Sequence, residues 1–265
     1  MGMVKTLRFA KAEDLMANRS PQAQVATITT SWDDGHPLDI RVAELLASYG
    51  MVGTFYVPVS CGKRPVMPRE HIYTLRHMGM EIGSHTLMHH ELTKLAPDKA
   101  RLELVKSKEY LEDVLGEPVT SLCYPKGKFN QKVRSLAAEA AYTLARTTLA
   151  FHTDMDFDPL CMPVSLQVFP HTPTVHIKHA LKEGNLRGIA NWYKLGRLEN
   201  DPVKLSRLIV DHIQNYGGIC HIWGHSWEIE QCGLWKMLEE ILQHIAHREG
   251  VLYLTNAQVL SPIGP

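Results

Sequence analysis

No sign of charge prevails in this chain: across 265 residues, 28 basic side chains stand against 28 acidic ones. A nucleic-acid partner or an anionic membrane surface calls for a basic excess, so the neutral balance argues against both. Cysteine is scarce. Cys61, Cys123, Cys161, Cys220 and Cys232 are odd in number, and no two have C-x-x-C spacing. Zinc ribbons and thioredoxin chemistry are thereby disfavoured, and free thiols fit a reducing compartment. Long apolar runs are missing too. Residues 1–24 carry Lys5, Arg8, Lys11, Glu13 and Asp14 without an apolar stretch. The expectation is an N-terminal extension that is neither signal peptide nor membrane anchor, no membrane span, and residence in the cytoplasm. The sequence shows no internal repeat, low-complexity tract or interdomain linker.

What is present is a regular alternation of short β-branched runs and amphipathic stretches. Residues 25–32, 52–59, 80–84, 119–124, 142–148, 218–223 and 251–255 read as strands. Between them, 38–49, 71–78, a charged stretch opening at Pro97 and closing at Gly116, 203–214 and 234–245 read as helices, as does a segment with Val133, Leu136, Ala137 and Ala140 on one face. Such alternation implies a parallel sheet, and about seven repeats within residues 25–265 imply a single-domain α/β barrel, closed or nearly so. Residues 149–200 break the pattern. They are rich in Pro, His, Asp and Gly, and read as one strand near 162–169 with loop or short helix elsewhere.

Two motifs fall at strand ends, where barrel chemistry sits. Asp33-Asp34-Gly35 ends the first strand, and His85-Thr86-Leu87-Met88-His89 follows the third. By itself Asp-Asp-Gly reads as an Asx turn. The His-x-x-x-His spacing places two imidazoles on one face of a helix, close enough to share an ion, although a histidine-rich chain could carry such a pair on its surface. Together the motifs supply a carboxylate and two imidazoles for a divalent metal and leave one carboxylate as a base. Three protein ligands leave a position open for water, the mark of a catalytic site.

With Tyr124-Pro125-Lys126-Gly127 in third place, the order and spacing of these motifs resemble the polysaccharide deacetylase family (carbohydrate esterase family four), over roughly residues 25–255. The resemblance implies a distorted (β/α)7-type barrel and metal-dependent hydrolysis of an N-acetyl group on an amino sugar. It assigns Asp33 as general base and Asp34, His85 and His89 as metal ligands. The expected metal is zinc, with cobalt, nickel and iron also compatible with a His2Asp donor set. Tyr124, Pro125, Lys126 and Gly127 become the oxyanion and substrate segment, with the Lys126 backbone N–H as the donor. His225, in Trp223-Gly224-His225-Ser226-Trp227-Glu228, resembles the family's late general acid. His221, four residues earlier on the same strand face, reads as a wall residue. Trp227 reads as core or as a sugar-facing wall, and Glu228 as a support for His225 or a helix cap.

One departure matters. Many members carry arginine two residues before the motif proline, where this chain has Cys123; Arg146, at the end of the next strand, is the candidate substitute. Asp154, Asp156 and Asp158 receive no second metal. The expected partner is a small-molecule or oligosaccharide substrate, such as a nucleotide- or lipid-linked sugar, and self-association is left open. The competing readings are a cyclic-amide hydrolase of the allantoinase kind on the same fold, and a non-catalytic carbohydrate-binding protein.

Overall fold

The computed structural model describes residues 25–260 apart from Lys63; the expected N-terminal extension, 1–24, lies outside the described residues. The chain runs β1 (Ala26–Trp32), α1 (Asp39–Ser48), β2 (Thr54–Val57), α2 (Arg69–His77), β3 (Glu81–Ser84), α3 (Pro97–Leu115), β4 (Ser121–Cys123), α4 (Gln131–Glu139) and β5 (Leu144–Arg146). It continues through β6 (Leu166–Gln167), α5 (Pro173–Glu183), α6 (Leu186–Lys194), α7 (Pro202–Tyr216), β7 (Gly218–Gly224), α8 (Ser226–Gln231), α9 (Trp235–Ile245), β8 (Val251–Tyr253) and α10 (Asn256–Val259). The strands form one sheet in the order β5-β4-β3-β2-β1-β7-β6, with β8 beside β1. Among the described residues, the paired strands all run parallel. A single bridge, Arg146 to Met162, links the β5 edge towards β6, so the sheet curls into an incomplete (β/α) barrel, as the alternation implies.

All seven residues of β1 are buried, as expected of a central parallel strand covered on both faces. Its Ile28 and Trp32 belong to the main core together with Leu46, Phe55, Ile209, Val210, Leu238 and Ile241 from the surrounding elements. Helix ends follow the sequence punctuation. α3 opens with Pro97 in its first turn, where a missing N–H is tolerated, and closes on Gly116 at φ +69°.

The segment 149–200 is more helical than its sequence suggests. α5 and α6 are regular, yet α5 buries only Ala180. Ile177 and Leu181 point to solvent, so α5 lacks the inward apolar stripe on which a helical reading depends.

Candidate active site

The C-terminal ends of six strands converge on one cleft of about 880 Å³, lined by side chains that include Asp33, Asp34, His85, His89, Trp223, His225 and Trp227. Asp33 leaves β1 with its N–H bonded to the Gly224 carbonyl on β7 (3.0 Å). Asp34 turns out of the strand at φ +75°, an uncommon conformation for a non-glycine residue. Gly35 follows at φ +56°, and a Cβ there would come within 2.9 Å of Val57 Cγ1. The turn therefore needs glycine, and it aims the two carboxylates at different partners.

Asp33 forms a buried ion pair with Arg146. Strand register explains the reach: β4 pairs with β5 so that Cys123 lies opposite Arg146. The Cys123 thiol also donates to Asp33 Oδ2 at 3.6 Å. Burial would raise the Asp33 carboxyl, but Arg146, with His85 and His225, outweighs it and holds the group at about 2. The guanidinium packs 4.8 Å from the centre of the Trp223 ring.

Asp34 faces the histidines. Its Oδ1 is 3.2 Å from His89 Nε2 and 3.7 Å from His85 Nε2. Its Oδ2 accepts from Trp227 Nε1 at 2.9 Å and pairs with Arg64. Burial pushes against ionisation of Asp34, yet His85, His225 and His89 hold it below the usual carboxylate value. His85 Nδ1 lies 2.8 Å from the Cys123 carbonyl. A carbonyl only accepts, so Nδ1 carries the proton and Nε2 keeps its lone pair towards Asp34. Burial favours neutral His85. Burial and neighbouring His85 lower His89 to about 4.

The helical expectation for His85 and His89 is corrected. No helix spans residues 85–90, and Thr86 and His89 have φ of +69° and +56°. A turned loop brings the rings to 4.7 Å between centroids. Glu103 on α3 pins it, accepting from the Met88 N–H and bonding to His90, each at 2.8 Å.

The donor set fits a divalent ion. Ligand atoms each about 2.1 Å from a tetrahedral ion lie about 3.4 Å apart, and the Asp34–His89 and Asp34–His85 separations of 3.2 and 3.7 Å bracket that spacing. Two groupings with cysteine also lie close together, Asp33–His85–Cys123 and Asp34–Cys61–His89. Both thiols are poor ligands here. Burial lifts Cys123 well above its ordinary value and Cys61 to about 11, whereas thiolate is the ligating form.

Opposite the carboxylates, His225 Nδ1 bonds to Glu228 Oε2 at 3.2 Å, leaving Nε2 towards Asp34 Oδ2 at 4.0 Å. Burial would lower His225, but Glu228, Asp33 and Asp34 together raise it. Gln167 Nε2 donates to the same Glu228 oxygen at 3.0 Å, and His171 Nε2 donates to Gln167 Oε1 at 2.9 Å.

Lys126 and Gly127 line the cleft. Lys126 sits at φ +58°, while the Gly127 and Lys128 N–H groups close the turn on the Tyr124 and Pro125 carbonyls, leaving the Lys126 N–H outside that pattern. Pro125 is buried beneath the turn. Tyr124, expected in the substrate segment, is turned away: it is buried, donates to the Leu160 carbonyl at 3.1 Å and stacks on Phe129. His221 lies in the barrel interior, accepting from Ser31 Oγ at 2.8 Å, and burial lowers it to about 3. Asp154 pairs with Arg187, and Asp158 with Arg134.

Sequence reasoning missed Arg64, Gln167 and His171. Arg64 sits in the Cys61–Arg64 turn and stacks on Trp227 at 4.4 Å; its sequence signal is a basic pair such as any surface loop carries.

The polysaccharide deacetylase family model matches residues 20–145, so the resemblance carried by the motifs holds over a segment just short of half the chain. The chain is 27% identical over 140 residues to YxkH of Bacillus subtilis, named for polysaccharide deacetylases, covering 52% of this chain and 50% of that protein. It is 29% identical over 133 residues to chitin deacetylase 1 of Cryptococcus neoformans, covering 47% of this chain and 28% of that protein. The chain thus spans half or less of the curated relatives it matches. A Mycobacterium smegmatis structure described as a polysaccharide deacetylase superposes with a TM-score of 0.63 at 16% identity over 91% of each chain, which shows the shared fold.

Proposed function

Because residues 20–145 match the polysaccharide deacetylase family, we propose that this chain is a metal-dependent hydrolase that removes an N-acetyl group from an amino sugar or polysaccharide precursor. The observation that carries the reading is the arrangement around Asp34. The buried Asp33–Arg146 pair lies on one side, His225–Glu228 on the other, and two neutral imidazoles share the carboxylate between them. Asp34, His85 and His89 would hold the ion, with zinc the best fit to such donors. When bound, it polarises the amide carbonyl and acidifies a water.

The chain's own groups do the rest. Asp33, ionised and fixed by Arg146, takes the proton of the attacking water. The Lys126 N–H, preorganised by its turn, donates to the carbonyl oxygen as charge develops there. His225 holds a proton at Nε2 when charged and passes it to the departing amine. Glu228 favours that charged form by accepting from Nδ1. Trp223 and Trp227 flank His225, with ring centroids 5.4 and 5.2 Å away, and would pack against the sugar. Five free cysteines support a reducing, cytoplasmic setting.

The test combines metal analysis of wild type and His85→Ala with acetate release from an N-acetylated chitooligosaccharide panel. One metal per wild-type chain, lost in the variant, together with acetate release, establishes the reading. No metal after reconstitution refutes it.

A further inference from the structure

The neutral total hides a segregated distribution. Of the 28 basic side chains, five (Lys178, Lys182, Arg187, Lys194 and Arg197) lie within residues 173–198; of the 28 acidic ones, only Glu183 does. That segment is therefore +4 and the rest of the chain −4. Glu183 is turned inward, towards Lys128 at 3.5 Å and Thr148 at 3.0 Å. Arg187 pairs with Asp154. Among the described ion pairs, Lys178, Lys182, Lys194 and Arg197 have no carboxylate partner.

The same helices expose apolar surface. Of the twelve most exposed large apolar side chains among the described residues, five fall here: Ile177 (43%), Leu181 (62%), Leu186 (67%), Tyr193 (68%) and Leu198 (46%). They are ordered. On α5, Ile177 and Leu181 are four apart, each followed by an exposed lysine, Lys178 and Lys182. On α6, Leu186 and Arg187 recur about two turns later as Tyr193 and Lys194, again all exposed. Two consecutive helices thus each expose apolar side chains with cations directly beside them. A soluble face has no need of the leucines, and a buried protein contact has no need of uncompensated lysines. Apolar residues that insert at the acyl boundary, with lysines beside them reaching the headgroups, suit an anionic phospholipid surface.

We propose that the outer face of α5 and α6 docks this chain on an anionic lipid bilayer. The inner face of α5 lines the catalytic cleft through His176, His179, Ala180 and Glu183, and the exposed Lys182 also borders the cleft, where the two faces of the helix meet. Docking therefore sets the cleft mouth at the membrane; on the deacetylase reading, its substrate is an N-acylated sugar carried on a lipid.

The docking test needs no catalysis, so its failure would leave the deacetylase reading untouched. The full chain is sedimented with phosphatidylglycerol–phosphatidylcholine vesicles and with pure phosphatidylcholine vesicles. The expected result is binding to the anionic vesicles alone, weakening as salt rises. Each cation near such a surface contributes about fivefold, so Lys178→Gln with Lys194→Gln should lower partitioning roughly 30-fold. Leu181→Ser with Leu186→Ser should lower it as well. Thermal melts should match wild type, because these side chains are exposed. Binding to neither vesicle, equal binding to both, or variants that bind like wild type would overturn the proposal. So would a wild-type dimer that the leucine variant dissociates, which would make this face a contact between copies.

Discussion

Replacing Arg146 with methionine tests the electrostatic logic of the site most directly. Arg146 is fully buried and its partner Asp33 nearly so, so Arg146→Met leaves a carboxylate without its counterion inside the barrel. Breaking a buried pair from one side costs about 3–5 kcal/mol, while replacing both partners by neutral groups is often close to neutral. Asp33→Asn/Arg146→Met should therefore recover most of the loss, giving a coupling of about 2–4 kcal/mol. The pH dependence gives a second check. Asp33 is depressed from 3.8 to about 2 in the folded protein, which corresponds to about 2.5 kcal/mol. A depressed carboxyl stabilises the fold above its unfolded value, so this contribution is complete above pH 3.8 and disappears as pH falls through 2. In Arg146→Met, burial is opposed only by His85 and His225, without the largest of the lowering charges, so Asp33 titrates higher and the deficit against wild type should shrink on acidification. The assay is urea unfolding of metal-stripped protein at neutral pH and near pH 3, comparing midpoints at constant slope. A loss under about 1 kcal/mol at neutral pH, or an equal loss at both pH values, would refute the reasoning.

Three further variants probe other parts of the site. Glu228→Gln removes the negative charge that favours charged His225; because that histidine is raised above 6.5, acid-form activity should be lost at lower pH than in wild type, seen as a downward shift of the basic limb of the kcat profile. Trp227→Phe deletes the 2.9 Å donor to Asp34 Oδ2 and should weaken metal affinity roughly 10–100-fold in chelator competition, with the fold unchanged by circular dichroism. Gly127→Ala places a Cβ 2.0 Å from Thr148 Oγ1 at φ +64°; displacement of the Lys126 N–H should lower kcat about 100-fold while metal content stays at the wild-type value.

Much of the fold is legible because its signals are local. The β-branched run ending in Trp32, the Pro97–Gly116 helix and the 234–245 stripe each announce themselves by composition or period. The failures arise where local pattern and tertiary demand diverge. His85 and His89 have helical spacing but meet through a loop that Glu103 pins from another helix. α5 lacks a clear inward stripe because Ile177 and Leu181 face out, and α6 turns Leu186 and Tyr193 outward while burying Trp192. Arg64 and Gln167 reach the site through folding alone, and nothing in their sequence neighbours marks them.

Cys123 shows how a motif can depart while its physics is kept. The resemblance places an arginine at that position, on β4, three strands along the sheet from the strand that carries the general base, and its loss alone would leave Asp33 buried without a counterion. β4 and β5 run parallel in a register that sets Arg146 beside Cys123, so a guanidinium from the neighbouring strand reaches the same carboxylate. The Cys123 thiol donates to the second oxygen of Asp33. Charge compensation depends on where the cation sits, and adjacent positions in a parallel sheet both point into the barrel mouth. Exchange between them changes the motif and preserves the field at Asp33. Cys123→Arg in the Arg146→Met background should then restore part of the stability lost at neutral pH, read by the same urea midpoints. No recovery would mean that the pairing depends on the particular approach Arg146 makes, beyond its charge.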